Sequence, residues 1–332
     1  MVSSREIRLK SRPSGVLGPE HFESATVDVP APNAGEVQVR NLWMSVDPYM
    51  RPRMNDVPSY VPPFEVGKPL DGAAVGEVIA SADPNFKAGD LVQNGLGWRE
   101  AFTAPAKTLR KLDPRGLPPQ VFLGVAGVPG LTAYVGLLEI AELKEGDVVF
   151  VSAAAGAVGQ AACQIAKAKG HKVIGSAGGA EKIAWLKEMG VDEAIDYKAE
   201  SSLRQALARA APEGIDVYFD NVGGAHLDAA LAMAKNFGRF ALCGAISEYN
   251  TAERPGVRNM VVAVGRRLRL QGFIVIDHYD LMPAFMRDMT RWIAEGRMKW
   301  RETVETGIEN APAALMKLLQ GGNVGKMLVK LA

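Results

Sequence analysis

Residues 148–159 combine a short apolar run with a turn of small residues, VVFVSAAAGAVG. The β-branched and aromatic side chains of the run favour a strand buried on both faces, and the alanine-rich segment after the turn favours a helix that ends at Gly170. Gly156 would let a phosphate approach the backbone, and Gly159 would let the helix pack on the strand. Because Ala154 replaces the first glycine of G-x-G-x-x-G, the turn predicts either a dinucleotide-binding unit or only tight packing.

The next predicted strand, residues 171–179, ends on two glycines and carries no Asp or Glu for a ribose 2′-hydroxyl. Lys182 follows it, and Tyr197 ends the strand after that. A cation and a phenol beside this ribose suit a 2′-phosphate, so the residues favour NADP over NAD. The alternative is that Lys182, next to Glu181, is only a solvated charge on the first turn of a helix.

The elements that would position these residues fall into two groups. Residues before about 125 alternate apolar and polar side chains between turns, as in an antiparallel, barrel-like domain. Helical patterns then alternate with short apolar strands, which predicts a doubly wound parallel sheet of six strands. We expect an α/β protein with domains at 1–126 plus 298–332 and at 127–297. The last strand of the sheet is expected to be residues 269–276, RLQGFIVI, at an open edge.

Composition narrows the class of protein. The chain has 332 residues and a formal net charge of +1, which argues against nucleic acid or an anionic membrane surface as a partner. No apolar run reaches the length of a membrane span, and the N-terminus is polar, so we expect a cytoplasmic protein. Cys163, Cys243 and four scattered histidines lack metal-ligand spacing, so we expect neither a disulfide nor a metal site.

Longer motifs extend over the whole chain. They are SVDPYMR at 45–51, GLTAY at 130–134, AAGAVG at 154–159, DVYFDNVGG at 216–224, GRFALCGAISEYN at 238–250 and GGNVGK at 321–326. With them the sequence resembles the zinc-independent medium-chain dehydrogenase/reductases that include leukotriene B4 12-hydroxydehydrogenase/prostaglandin reductase, alkenal double-bond reductases and bacterial curcumin reductases. The resemblance implies a GroES-like β-barrel domain, a Rossmann domain and a homodimer.

The same resemblance implies which residues bind NADPH. They are Ala154, Gly156, Ala157, Val158, Gly159, Lys182, Tyr197, Asn221, Cys243, Gly244, Ala245, Ile246, Ser247, Phe273, Ile274, Val275 and Asn323. Two positions depart from the family pattern. Gly179 and Ala180 stand where many relatives have Ser and Asp, which would soften the preference for NADP. Glu248 stands where Gln is frequent, beside the tyrosine of the loop, and would either change the polarity of the pocket or point to solvent.

The resemblance further implies reduction of the carbon–carbon double bond of a small α,β-unsaturated aldehyde or ketone. Hydride would reach the β-carbon, and negative charge would develop on the carbonyl oxygen. Tyr249 is the candidate donor to that oxygen, because a phenol is protonated at neutral pH. Tyr49 is a second pocket candidate, or else a turn residue after Pro48.

Three other interpretations compete with this one. A zinc-dependent alcohol dehydrogenase would need a thiolate where this chain has Ser45, Val46 and Asp47. A quinone reductase of the same wider fold stays open, as does a catalytically idle NADP-binding redox sensor. Turnover of an aliphatic enal, compared with that of a benzoquinone, would separate these possibilities.

Overall fold

The computed structural model describes residues 1–251 and 256–332. In this part of the chain the strands are β1 (Val2–Leu9), β2 (Phe22–Val29), β3 (Glu36–Ser45), β4 (Ala74–Ser81), β5 (Leu91–Asn94), β6 (Ala101–Pro105), β7 (Arg110–Lys111), β8 (Val148–Val151), β9 (Lys172–Ala177), β10 (Glu193–Asp196), β11 (Ile215–Asp220), β12 (Ala234–Leu242), β13 (Arg269–Gly272), β14 (Glu302–Thr306) and β15 (Lys326–Lys330).

The α-helices of the same described residues alternate with the strands in the second half of the chain. They are α1 (Val128–Val135), α2 (Ala157–Ala168), α3 (Ala180–Glu188), α4 (Leu203–Ala210), α5 (Gly224–Met233), α6 (Ile246–Tyr249), α7 (Met260–Arg266), α8 (Met282–Ala294) and α9 (Ala311–Leu319). No helix in the described ranges combines the length and the apolarity that a membrane span requires.

One compact unit comprises Met1–Leu123, Glu302–Asn323 and Met327–Ala332. Its main sheet has the order β14-β15-β3-β4-β5-β7, and from β15 to β7 each strand pairs antiparallel with the next. The long strand β3 also pairs with β6 through its first half, while its second half pairs with β15. Val37 and Val39 on β3 are fully buried and form part of the hydrophobic core of this unit. The predicted antiparallel domain is confirmed.

The other unit comprises Gly124–Arg301 and Val324–Lys326. Its six strands are parallel and follow the order β10-β9-β8-β11-β12-β13, with helices between them. The strand order reverses between β8 and β11, and ligands of such sheets bind beyond the carboxyl ends of the strands at that reversal. The predicted doubly wound sheet is therefore confirmed. A ligand site is expected beyond the carboxyl ends of β8 and β11, where the strand order reverses.

Aromatic side chains fix neighbouring strands of this sheet side by side. The ring of Tyr218 stacks on Phe150 with centroids 5.1 Å apart and meets Phe240 edge to face at 5.3 Å. All three side chains are buried. Such contacts hold the ends of β8, β11 and β12 in register, and these ends carry the residues of the candidate site.

The last strand is shorter than the sequence predicts. We expected a strand over 269–276, but β13 ends at Gly272 and a 3₁₀ helix begins at Val275. The reason is Phe273, whose buried ring meets Phe219 edge to face with centroids 6.2 Å apart. The strand ends directly before this contact, and the 3₁₀ helix begins two residues after it.

Candidate active site

The turn between β8 and α2 is built from small residues held by backbone bonds. Ala153 adopts a left-handed conformation with φ 46°, which is unusual for a residue other than glycine. The N–H of Ala154 donates to the carbonyl of Ser176 on β9 at 2.9 Å. A Cβ atom on Gly159 would lie 2.2 Å from the Ala153 carbonyl oxygen, so only glycine lets α2 pack this closely on the turn.

The first turn of α2 offers backbone donors and no side-chain cap. Gly156 is its N-cap residue and makes no side-chain cap hydrogen bond. Gly156, Ala157 and Val158 are all partly exposed, so their backbone can be approached. A Cβ atom on Gly156 would stand 3.2 Å from the Ala153 carbonyl oxygen and would fill part of that approach. N–H groups at a helix start suit a pyrophosphate.

A second group of residues lies at the ends of β9 and β10. A Cβ atom on Gly178 would lie 2.9 Å from Cε of Lys198 and 3.0 Å from Cζ of Tyr197. The pKa of Lys182 is lowered by burial and by repulsion from Lys198. The Asp196 carboxylate accepts the N–H of Gly179 and of Lys198, each at 3.0 Å, and so orders both turns.

These residues fit the adenosine end of NADP. Lys182 and Lys198 bring two cations close enough to repel each other, and a 2′-phosphate would offset that repulsion. Tyr197 stands beside them with 38% of its surface exposed. Sequence reasoning predicted Lys182 and Tyr197 but missed Lys198, although its position directly after Tyr197 was a usable signal.

The segment 243–249 is held by backbone bonds to the end of β11. The N–H groups of Cys243 and Gly244 both donate to the Asp220 carbonyl, at 2.9 and 3.0 Å. Ser247 donates to the Val222 carbonyl through both its N–H and its hydroxyl. Because β11 adjoins β8, this anchoring ties the loop to the strand that leads into the glycine turn.

Asp220 is the centre of a buried hydrogen-bond network that the sequence analysis did not single out. Its Oδ1 accepts four donors, which are the hydroxyls of Ser152 and Tyr218 and the N–H groups of Val222 and Gly223. Burial raises the pKa of Asp220, and the hydrogen bonds act against that shift. An acid at the end of a strand, three residues before the first glycine of DNVGG, was the available signal.

Tyr249 ends the short helix α6 and folds back over its own loop. Its Oη accepts the N–H of Ala245 at 3.1 Å. Burial raises the pKa of the phenol, the bond from Ala245 lowers it, and the nearby Cys243, Asp220 and Glu248 raise it again. The phenol is therefore protonated at neutral pH, and its proton is available to a second partner because the bond to Ala245 uses an oxygen lone pair.

A cavity of about 560 Å³ opens beside Tyr249. Six of the predicted site residues line it, namely Cys243, Gly244, Ala245, Tyr249, Phe273 and Ile274. The remaining lining residues were not predicted, and they are Asp220, Gly223, Leu227, Leu242, Glu248, Gly272 and Asp277. The cavity thus lies between the loop after β12 and the segment after β13.

Other predicted residues lie elsewhere. Tyr49 and Asn323 belong to the antiparallel unit, where the ring of Tyr49 packs against a core of buried apolar residues and burial raises the pKa of its phenol. The Asn221 side chain donates to the Ser152 carbonyl at 2.8 Å, so its amide braces the glycine turn. Val275, Ile246 and Ser247 do not line the cavity, although they adjoin residues that do.

The cysteine thiols lie in settings that disfavour thiolate chemistry. Burial raises the pKa of Cys243 to about 12 and also raises that of Cys163. Within residues 1–251 and 256–332, no group of three or more His, Cys, Asp or Glu side chains is placed to hold a metal ion.

Comparison with known proteins agrees with this geometry. Residues 5–112 match the family described as N-terminal domain of oxidoreductase, and residues 157–295 match the one described as zinc-binding dehydrogenase. The chain is 44% identical to the putative NADP-dependent oxidoreductase YfmJ of Bacillus subtilis (strain 168), covering 100% of this chain and 98% of the relative. It is 43% identical to 2-alkenal reductase (NADP(+)-dependent) of Nicotiana tabacum, covering 99% and 97%.

A solved structure extends the likeness to three dimensions. CurA in complex with NADPH from Vibrio vulnificus is 41% identical and superposes with a TM-score of 0.94 over 99% of each chain. Sequence identity above 40% along the whole chain, together with the two matching domain families, indicates membership of the same family and not only a shared fold. The chain therefore belongs to the zinc-independent medium-chain dehydrogenase/reductases, the family that includes the alkenal, curcumin and prostaglandin reductases.

Proposed function

We propose that this protein reduces the carbon–carbon double bond of small α,β-unsaturated aldehydes and ketones with NADPH, and that Tyr249 stabilises the charge that develops on the carbonyl oxygen. The observation that carries the proposal is the cavity beside Tyr249, which gathers six residues that the family pattern assigns to the cofactor and substrate. The relatives named 2-alkenal reductase, curcumin reductase and prostaglandin reductase support the same reaction.

The protein is an NADP-dependent oxidoreductase, as these relatives indicate. When bound, NADPH supplies the hydride for the β-carbon of the substrate. The backbone of Gly156 to Gly159 would hold the pyrophosphate, while Lys182, Tyr197 and Lys198 would hold the 2′-phosphate.

Tyr249 would act through its hydroxyl proton. Hydride addition leaves an enolate oxygen, and a donor fixed at that oxygen stabilises the transition state more than the ground state. The N–H of Ala245 fixes the phenol oxygen while leaving its proton free to donate. The raised pKa keeps that proton in place at neutral pH, so we assign Tyr249 to stabilising the enolate rather than to general acid catalysis.

Tyr249→Phe tests this role. We expect kcat for a reactive enal to fall about 10- to 1000-fold, the effect of losing one donor to an oxyanion. Stopped-flow oxidation of NADPH measures the rate, and Tyr279→Phe, which removes the hydroxyl of a half-exposed tyrosine, is the matched control. An unchanged rate in Tyr249→Phe would remove the residue from the mechanism. Faster turnover of a benzoquinone than of any enal would instead favour a quinone reductase.

We further infer that the protein forms a homodimer through the edge of its parallel sheet. β13 stands last in the strand order, so one of its edges is available to a second copy. The cytoplasmic location expected from the sequence stays a prediction.

A further inference from the structure

The cavity beside Tyr249 is lined by three carboxylates, those of Asp220, Glu248 and Asp277. Among the described residues that line it, none is Lys, Arg or His. The other walls are apolar, with Leu227 and Phe273 among them. A cavity of this kind has a negative potential, and its apolar walls shield charges less than water does.

Asp220 and Glu248 contribute to this potential in different ways. Asp220 is only 2% exposed, and the four donors that it accepts all bond to Oδ1. Glu248 is half-buried and precedes Tyr249 on α6, and its Oε1 would stand 3.4 Å from a Cβ atom on Gly223. In the described ranges Glu248 forms no ion pair, so no cation there offsets its charge.

The field of these carboxylates reaches the phenol oxygen of Tyr249. Both Asp220 and Glu248 act to raise the pKa of Tyr249, in addition to the larger effect of burial. A negative charge on a bound substrate would meet the same field. The whole chain has a net charge of only +1, so any rejection of anions would come from this cavity and not from the overall charge.

We propose that this cavity selects α,β-unsaturated carbonyl substrates without a negative charge, and that Glu248 is the residue that disfavours those carrying a carboxylate. The inference rests on the proposed function and narrows its substrate class. Asp220 is held by its hydrogen bonds and Asp277 is exposed, whereas Glu248 lies next to Tyr249 and is unpaired among the described residues. Two like charges about 8 Å apart, in surroundings that screen charge less than water does, repel each other enough to favour the neutral substrate over the anionic one on the order of tenfold.

Two substrates of the same shape test the proposal. They are 4-phenyl-3-buten-2-one bearing either a para-carboxamide, which is neutral, or a para-carboxylate, which is anionic. The measured quantity is the ratio of kcat/KM for the carboxamide to that for the carboxylate, with the full chain, NADPH and low salt. We expect the ratio to exceed about 10 in the wild type and to fall about tenfold in Glu248→Gln, which keeps the side chain's size.

Glu213→Gln is the control, because Glu213 is an exposed acid in the loop before β11, outside the cavity lining. It should keep the wild-type ratio. Raising the salt concentration should lower the ratio in the wild type itself, and this measurement needs no variant to fold.

The possible results separate the two claims. If the wild type reduces the carboxamide and the carboxylate equally well, or if Glu248→Gln keeps the wild-type ratio, the charge selection is wrong. If the wild type oxidises NADPH with neither substrate nor with any other enone, the proposed function itself fails. A wild-type ratio that does not respond to salt would also contradict an electrostatic origin.

Discussion

Lys198, in the turn after β10, lies next to Gly178, and its charge lowers the pKa of Lys182 on α3. Each lysine therefore raises the electrostatic cost of the other's charge. A ligand with a phosphate monoester removes that cost, while a ligand with a free 2′-hydroxyl does not. Because Gly179 and Ala180 provide no side-chain hydroxyl or carboxylate here, we expect the discrimination between NADPH and NADH to depend on these cations and on Tyr197.

Lys182→Ala should raise KM for NADPH about tenfold or more, the scale of one charge-assisted bond to a phosphate, and should leave KM for NADH almost unchanged. Steady-state kinetics with both nucleotides measure this difference. Lys187→Ala, an exposed lysine on the same helix α3, is the matched control. Equal increases in KM for the two nucleotides would show that Lys182 does not contact the 2′-phosphate.

At the scale of the element, the start of α2 packs directly on the backbone of the turn that follows β8. Gly159 makes this possible, because a Cβ atom there would overlap both the Ala153 carbonyl oxygen and Cα of Ala154. Gly156, one turn earlier, has a looser fit, with its nearest contact at 3.2 Å. We therefore expect the two glycines to have different roles. Gly159 would let α2 pack on the turn, and Gly156 would let a phosphate approach the backbone.

Gly159→Ala should lower the free energy of unfolding by about 1–3 kcal/mol, as overpacking does, and should weaken NADPH binding too. Gly156→Ala should lose less stability but still weaken NADPH binding, because the methyl group occupies the phosphate approach. Denaturant unfolding and fluorescence titration with NADPH measure the two quantities. Equal losses of stability in both variants would contradict this division of duties.

The end of β13 depends on information that the local sequence pattern does not contain. The run RLQGFIVI has strand-forming residues throughout, yet β13 stops at Gly272. The deciding contact is between Phe273 and Phe219, which are more than fifty residues apart in sequence. A residue-by-residue propensity has no information about such a partner.

At the scale of the whole molecule, a buried histidine links the acid stability of the fold to the cofactor side of the sheet. His226 is 6% exposed, its Nε2 has no hydrogen-bond partner among the described residues, and its ring meets Tyr197 edge to face at 4.9 Å. Burial lowers the pKa of His226 to about 4. The unfolded chain therefore binds a proton that the folded protein does not between about pH 4 and 6.5, so stability falls as pH falls through that window.

His226→Phe should remove this dependence while keeping an aromatic ring against Tyr197. Between pH 8 and pH 5 we expect the stability difference between variant and wild type to change by about 2 kcal/mol in favour of the variant. Denaturant unfolding at the two pH values measures it. Parallel pH curves for both proteins would mean that His226 is protonated normally in the fold.

The sequence by itself determined the order of the elements, the two kinds of sheet and the dinucleotide turn, because these depend on local periodicity and on small residues at short spacing. It also contained the family motifs that direct attention to Lys182, Tyr197 and Tyr249. Only the tertiary structure decided that Lys198 lies beside Gly178 and that Asp220 organises the loop. It also decided that three carboxylates line one cavity. Asp220 ends β11, Glu248 lies on α6 and Asp277 lies in the 3₁₀ helix after β13, so the three meet only when the chain has folded.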